Sequence, residues 1–170
     1  MPASFGASFG FVNAPLGKVA DELFTWRSEL DFDPTRVDLP GGLVENAAAL
    51  LPIARSPIYR DLLVATIGDR WTAYFNAFPS GDPVGPTDVL GRRLKVPVVQ
   101  ITAHPFRSKA GATDEPLGGL LFSYKIDPND RSEPARSIAV VEGESSSSRY
   151  HFEQWGPVQP WEESERYTAR

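Results

Sequence analysis

Two histidines, His104 and His151, are the only imidazoles in the 170-residue chain, and cysteine is absent. Without cysteine there is no thiolate nucleophile, disulfide, Cys-ligated zinc or iron–sulfur cluster. Two imidazoles give little material for Ser-His-Asp catalysis or a histidine-based metal centre, both of which need positioned partners. His104 ends an apolar run before Pro105, and His151 lies between Tyr150 and Phe152; neither stands in a recognisable motif. Ser123 and the serines at 145–148 lack the G-x-S-x-G nucleophile elbow.

Carboxylates and cations offer weaker patterns. Asp31 and Asp33 flank Phe32 in a D-x-D arrangement suited to Mg²⁺ or Ca²⁺, but no EF-hand glycine and terminal glutamate follow, so a solvated helix-to-loop junction explains them. Glu142, Glu144 and Glu153 are candidates for the paired carboxylates of glycoside hydrolysis; strand-edge charges are the alternative. Gly41-Gly42 and Gly118-Gly119 lack a Walker lysine and GxGxxG spacing and read as turns. Arg92, Arg93 and Lys95 form a small basic cluster near a short helix, a phosphate contact or a solvated face. The expectation is no catalytic centre, no resident metal and no cofactor. The competing reading is a small hydrolase-type enzyme built from carboxylates and a histidine, near His104 and the loop that follows it. A structural adaptor module is the third.

The C-terminal segment has a pattern suited to recognition. Trp155 and Trp161 bracket Pro157 and Pro160, and Glu162, Glu163 and Glu165 follow. A tryptophan beside carboxylates can anchor a basic protein surface, the ring filling a pocket and the charges steering approach. The alternative is that both rings cap the core while the glutamates face water. Net charge is −5, distributed unevenly: residues 1–45 carry 3 basic and 7 acidic groups, 46–113 carry 8 and 4, and 114–170 carry 6 and 11. Acidic flanks disfavour non-specific nucleic-acid binding and favour a basic protein partner.

The elements that would position these residues alternate clearly in places. Phe5, Ala7, Phe9 and Phe11 alternate with small residues as in a strand. Asn13 as cap and Pro15 in the first turn open a helix whose stripe is Leu16, Val19, Leu23, Trp26 and Leu30. A second helix is expected over 41–51, ended by Pro52. Leu62–Ile67 and Trp71–Phe78 form a hairpin around Gly68 and Asp69, expected at the sheet centre because both faces of its second strand are large. Thr87 is placed as the cap of a short third helix, and Val96–His104 as a strand whose Val98, Gln100, Thr102 and His104 face is half-polar and reads as partly exposed. Residues 105–119 read as a long loop and a candidate contact site. Three strands follow, around 120–126, 138–142 and 149–155, with a Ser-rich tip at 143–148 and a C-terminal helical turn after Trp161. The expectation is one α+β domain over 1–170: a mostly antiparallel sheet, two main helices, a short third helix and the terminal turn.

The first seventeen residues contain no Lys or Arg and break their aromatics with Gly and Ser, and no uncharged apolar run approaches the roughly 18 residues of a membrane span. A cytoplasmic protein with no membrane role is expected. The segments Ser8-Phe9-Gly10-Phe11-Val12, Leu62-Leu63-Val64-Ala65-Thr66, Trp71-Thr72-Ala73-Tyr74-Phe75 and Val158-Gln159-Pro160-Trp161-Glu162-Glu163 together resemble a family of small uncharacterised bacterial proteins. That resemblance spans most of the chain and implies no catalytic residues. In size, acidity and expected architecture the chain also resembles immunity proteins of bacterial toxin systems. The resemblance implies an immunity or antitoxin-like protein that occludes a toxin, with Trp161 as anchor and Glu162, Glu163 and Glu165 as steering charges.

Overall fold

The sheet is built around β1 (Ala7–Val12), where the Phe/Gly alternation puts aromatic groups on one face and small ones on the other. The computed structural model describes residues 7–50, 60–77, 84–104, 118–127, 135–142 and 150–162. The remaining strands are β2 (Asp61–Ala65), β3 (Thr72–Asn76), β4 (Val98–His104), β5 (Gly119–Lys125), β6 (Arg136–Glu142) and β7 (Tyr150–Trp155). They form one seven-stranded sheet in the order β2-β3-β1-β4-β5-β6-β7, with every neighbouring pair antiparallel. With three helices, α1 (Leu16–Glu29), α2 (Leu43–Ala47) and α3 (Val84–Leu94), the fold is α+β and dominated by the sheet.

The connection through α3 explains the packing. It carries the chain from β3 to β4, which flank β1, so α3 must lie across β1. Gly10 makes the approach possible: a Cβ there would overlap Thr87 Oγ1 and stand 2.9 Å from Thr87 Cβ and Cγ2. The core then forms between helices and sheet from Val12, Val19, Leu23, Tyr74, Leu90 and Val98, with Trp26 and Leu94 packed against it. Thr72 Oγ1 donates to the Ala14 carbonyl at 2.8 Å and the Asn13 amide to the Pro97 carbonyl at 3.0 Å, fixing where β1 ends and α1 begins. No described helix is long and apolar enough to cross a membrane.

Several sequence expectations are corrected. The β2–β3 hairpin lies at one end of the sheet, because β1 pairs with β3 on one side and β4 on the other, which leaves β2 outermost. The third helix has 11 residues and the second only 5 plus a 3₁₀ turn over Ala48–Leu50; α2 buries no residue, so nothing from the core extends it. Thr87 is buried inside α3, facing β1, and does not cap it. Pro15 is the residue flanking α1, with no side-chain cap. The half-polar face of β4 is the buried one: Gln100 lies under α3 and donates to Asp88 Oδ1 at 2.8 Å, and Lys125 donates to Asp88 Oδ2 at 2.7 Å. The Ser-rich tip, most of the 105–119 loop and the expected turn after Trp161 fall outside the described residues.

Gly10→Ala should therefore destabilise the protein by about 2 kcal/mol or more, as overpacking does. Urea denaturation should show a lower midpoint for Gly10→Ala and partial recovery in the Gly10→Ala/Thr87→Ala double variant. An unchanged midpoint in the single variant would contradict the close α3–β1 contact.

Candidate functional site

Strand registers fix the side of the sheet opposite the α3 contact. One row runs Leu62, Phe75, Phe9, Ile101, Phe122, Ile138; a second runs Val64, Ala73, Phe11, Val99, Tyr124, Arg136. A third adds Ala103, Leu120, Val140 and Phe152. Residues directly opposite on antiparallel strands share a face, so almost the whole of this side is apolar. The Phe9 ring meets Phe75 at a centroid distance of 6.0 Å and Phe11 at 6.2 Å.

One charge interrupts these rows. Arg136 is 1% exposed. A buried guanidinium needs compensation for its five donors, and the C-terminal segment supplies it. Arg136 Nε donates to Glu162 Oε1 at 2.8 Å and Nη2 to Glu162 Oε2 at 2.7 Å, a bidentate pair. Nη2 also donates to Gln154 Oε1 at 2.8 Å, and Nη1 to the Gly156 carbonyl at 3.0 Å. Gly156 adopts φ +79°, and a Cβ there would collide with the Ala135 carbonyl, so only glycine lets the chain leave β7 and turn back along Arg136. The Gln159 amide donates to Glu162 Oε1 at 3.1 Å, closing the clasp.

The clasp presents Trp161. Its ring meets Phe122 and Tyr124 edge-on at 5.9 and 6.1 Å, yet the residue remains 55% exposed. A large aromatic held on a rigid segment beside apolar neighbours has the form of an interface anchor. Glu162, by contrast, is buried and committed to Arg136, so its charge serves the clasp and is not presented for steering. Glu163 and Glu165 lie outside the described residues. Trp155 is half-exposed and points to the other side of the sheet from Trp161, in the Ser123–Ser137 row.

The other candidates are dispersed. His151 is exposed on β7 opposite Val141, and His104 ends β4, its side chain outside the described residues. Glu153 is exposed on β7; Glu142 ends β6, its side chain outside the described residues, as is Glu144. Gly118 leads into β5 and Gly41-Gly42 precede α2, where the Gly42 amide donates to the Glu45 carboxylate at 3.1 Å. Arg93 pairs with both Glu22 and Glu29 on α1 and ties α3 to it. Among the described residues, no group of three His, Cys, Asp or Glu side chains could hold a metal.

A feature absent from the sequence expectations is a cleft of about 840 Å³ bordered by α1, the 31–40 segment, the α2 region and β2. At its floor Arg27 Nε and Nη2 donate to Asp61 Oδ2 at 3.2 and 3.1 Å, and Tyr74 Oη donates to Asp61 Oδ1 at 2.6 Å. Burial first, and the Asp61 charge second, push the Tyr74 pKa well above the usual phenol value, so the hydroxyl stays protonated and donating. Asp61 is thereby occupied by two donors, an arrangement suited to holding β2 against α1 more than to accepting a substrate proton. Asp61 carries no motif in the sequence, and Tyr74 falls within the aromatic run of the hairpin's second strand, so neither marks this cleft.

Comparison with known proteins finds no matching family model, no matching curated protein and no matching solved structure.

The hydrogen bonds from Arg136 hold the Glu162 pKa below the usual carboxylate range, with burial opposing them. The unfolded chain therefore binds this proton more tightly, and the stabilisation is complete above the ordinary Glu pKa of about 4.3 and lost as pH falls through the lower folded value. Urea midpoints measured from pH 3 to 7 should fall steeply on the acid side for wild type. Glu162→Gln should flatten that limb and lower stability at pH 7 by about 3 kcal/mol, since it leaves Arg136 buried without its counter-charge. Identical pH profiles for the two proteins would contradict the pairing.

Proposed function

We propose that the protein is a binding protein whose C-terminal clasp and adjoining sheet face cover a surface of a protein partner. The carrying observation is Trp161: exposed, ring-packed on Phe122 and Tyr124, and held by a segment whose geometry depends on a buried bidentate ion pair. Large aromatic anchors with little freedom left to lose contribute disproportionately to interface affinity. Apolar groups at Leu120 and Val158, both substantially exposed, extend the surface around β5 and the clasp.

The partner class that fits the sequence resemblance is a bacterial toxin, occluded sterically by a cytoplasmic immunity or antitoxin-like protein. The loss of Glu162 as a presented charge shifts the emphasis of this reading from electrostatic steering to apolar anchoring. Glu163 and Glu165, next in sequence, are the remaining acidic groups for a basic partner rim.

Co-expression with the product of the neighbouring open reading frame tests the proposal. Wild type should form a complex stable to size-exclusion chromatography and restore growth if that product is toxic. Trp161→Ala should weaken the complex by about 30-fold or more, as expected for a hot-spot aromatic worth ~2 kcal/mol. No complex and no protection would refute the reading.

A further inference from the structure

An open sheet ends in two edge strands, and the ladder pattern decides which of their backbone groups point away from it. β2 is paired with β3 on one side only. The Ala77 amide donates to the Arg60 carbonyl and the Thr66 amide to the Trp71 carbonyl, each at 3.0 Å, at the two ends of the β2–β3 register. Antiparallel ladders alternate, so Leu62 and Val64 also turn their N–H and C=O groups to β3, while Asp61, Leu63 and Ala65 turn theirs outward. Among the described residues nothing bonds these outward groups. At the opposite edge, Tyr150, His151 and Phe152 of β7 already have interactions of their own.

β2 lacks the devices that blunt an edge. It contains no Lys, no Pro and no bulge, and it pairs with β3 without a break from Asp61 to Ala65. Its one charge, Asp61, is turned onto Arg27 and Tyr74, with a side chain only 13% exposed. Val64 is half-buried and Ala65 exposed, so the strand opens toward its C-terminal end.

The strand is complementary to itself. With Leu63 on a two-fold axis, two copies of β2 run antiparallel with Leu63 opposite Leu63, Asp61 opposite Ala65 and Leu62 opposite Val64. All the outward residues then fall in hydrogen-bonded pairs, Asp61 with Ala65 twice and Leu63 with Leu63 once, and two bonds per pair give about six in all. Leu62 and Val64 meet on the apolar side and carry its rows across the junction. No like charges meet, since each Asp61 faces an alanine and the two Asp61 residues stand four positions apart, about 14 Å. Thr66 comes level with Arg60 of the second copy, which brings the fully exposed Ile67 to the end of β2 that borders the cleft beside α1.

We infer that β2 is a self-pairing edge, through which two copies of the chain join antiparallel along Asp61–Ala65 and merge their seven-stranded sheets into one. Unpaired outward backbone groups call for an extended partner, and the isologous match of β2 with itself selects a second copy. The contact lies at the opposite end of the sheet from the Trp161 clasp and does not depend on the toxin reading.

Sedimentation equilibrium of the full-length protein from about 5 to about 500 µM should show a monomer–dimer equilibrium with a dissociation constant below about 100 µM. Ala65→Pro removes an outward amide and leaves the ladder to β3 intact, so it should keep the circular dichroism melt while weakening the dimer at least about tenfold. Ala65→Asp sets a carboxylate opposite Asp61 and should weaken the dimer about fivefold or more, whereas Trp161→Ala should leave it unchanged. The chain has no cysteine, so single thiols report the register. The two Leu63 positions would lie about 5.5 Å apart between Cα atoms, within disulfide reach, and the two Ala65 positions about 14 Å apart, beyond it. Under mild oxidation Leu63→Cys should therefore cross-link at least about tenfold faster than Ala65→Cys. A monomer at every concentration, a dimer undiminished by both Ala65→Pro and Ala65→Asp, faster cross-linking of Ala65→Cys, or loss of the dimer in Trp161→Ala would overturn the inference.

Discussion

A guanidinium placed in an apolar row of a sheet obliges some other part of the chain to come to it. Arg136 is that group, and its fork is filled by Glu162, Gln154 and the Gly156 carbonyl. The pair is not a strong source of net stability, because desolvating two charges offsets most of their attraction. Its effect is positional: leaving either charge buried alone is costly, so the segment from Gly156 to Glu162 is held in one course and Trp161 with it. The recognition surface proposed above depends on this constraint, since an unclasped Trp161 would be an ordinary flexible tryptophan.

A second constraint decides which face of the sheet carries the helices. The β3–α3–β4 connection spans β1, and α3 comes down where β1 offers Gly10 instead of a bulky side chain. The phenylalanines of β1 therefore face the opposite side, where they join the apolar rows that end at the clasp. One alternation of glycine and phenylalanine in β1 thus divides the molecule into a helix-packed core and an aromatic face. Arg93, bridging Glu22 and Glu29, then fastens α3 to α1 so that the helix layer behaves as a unit.

Local pattern made the element order readable, because period-two and helical periodicities report directly on which residues share a face. The positions of elements were less readable. The hairpin's two large faces suggested the sheet centre, but β2 is outermost and owes its partial burial to α1 and the α2 region, a tertiary arrangement that strand composition does not encode. Gln100 looked partly exposed because polarity was taken for exposure, and Thr87 looked like a helix cap; both lie beneath or within α3, Gln100 satisfied by Asp88. Trp161 was readable as an anchor from its neighbours. Glu162 was not separable from Glu163 and Glu165 in sequence, since only the fold reveals which carboxylate meets a buried arginine. The one available hint was Arg136 itself, sharing alternate positions with Ile138 and Val140 and therefore requiring a counter-charge.

The central claim is that the Arg136–Glu162 pair fixes Trp161 against Phe122 and Tyr124. Nuclear Overhauser contacts from the Trp161 indole to the two rings, recorded for wild type and Arg136→Met at pH 7, test it most directly. The account predicts contacts to both rings in wild type and their loss in Arg136→Met while contacts within the α1–α3 core persist. Absence of the contacts in wild type, or their survival in Arg136→Met, would contradict it.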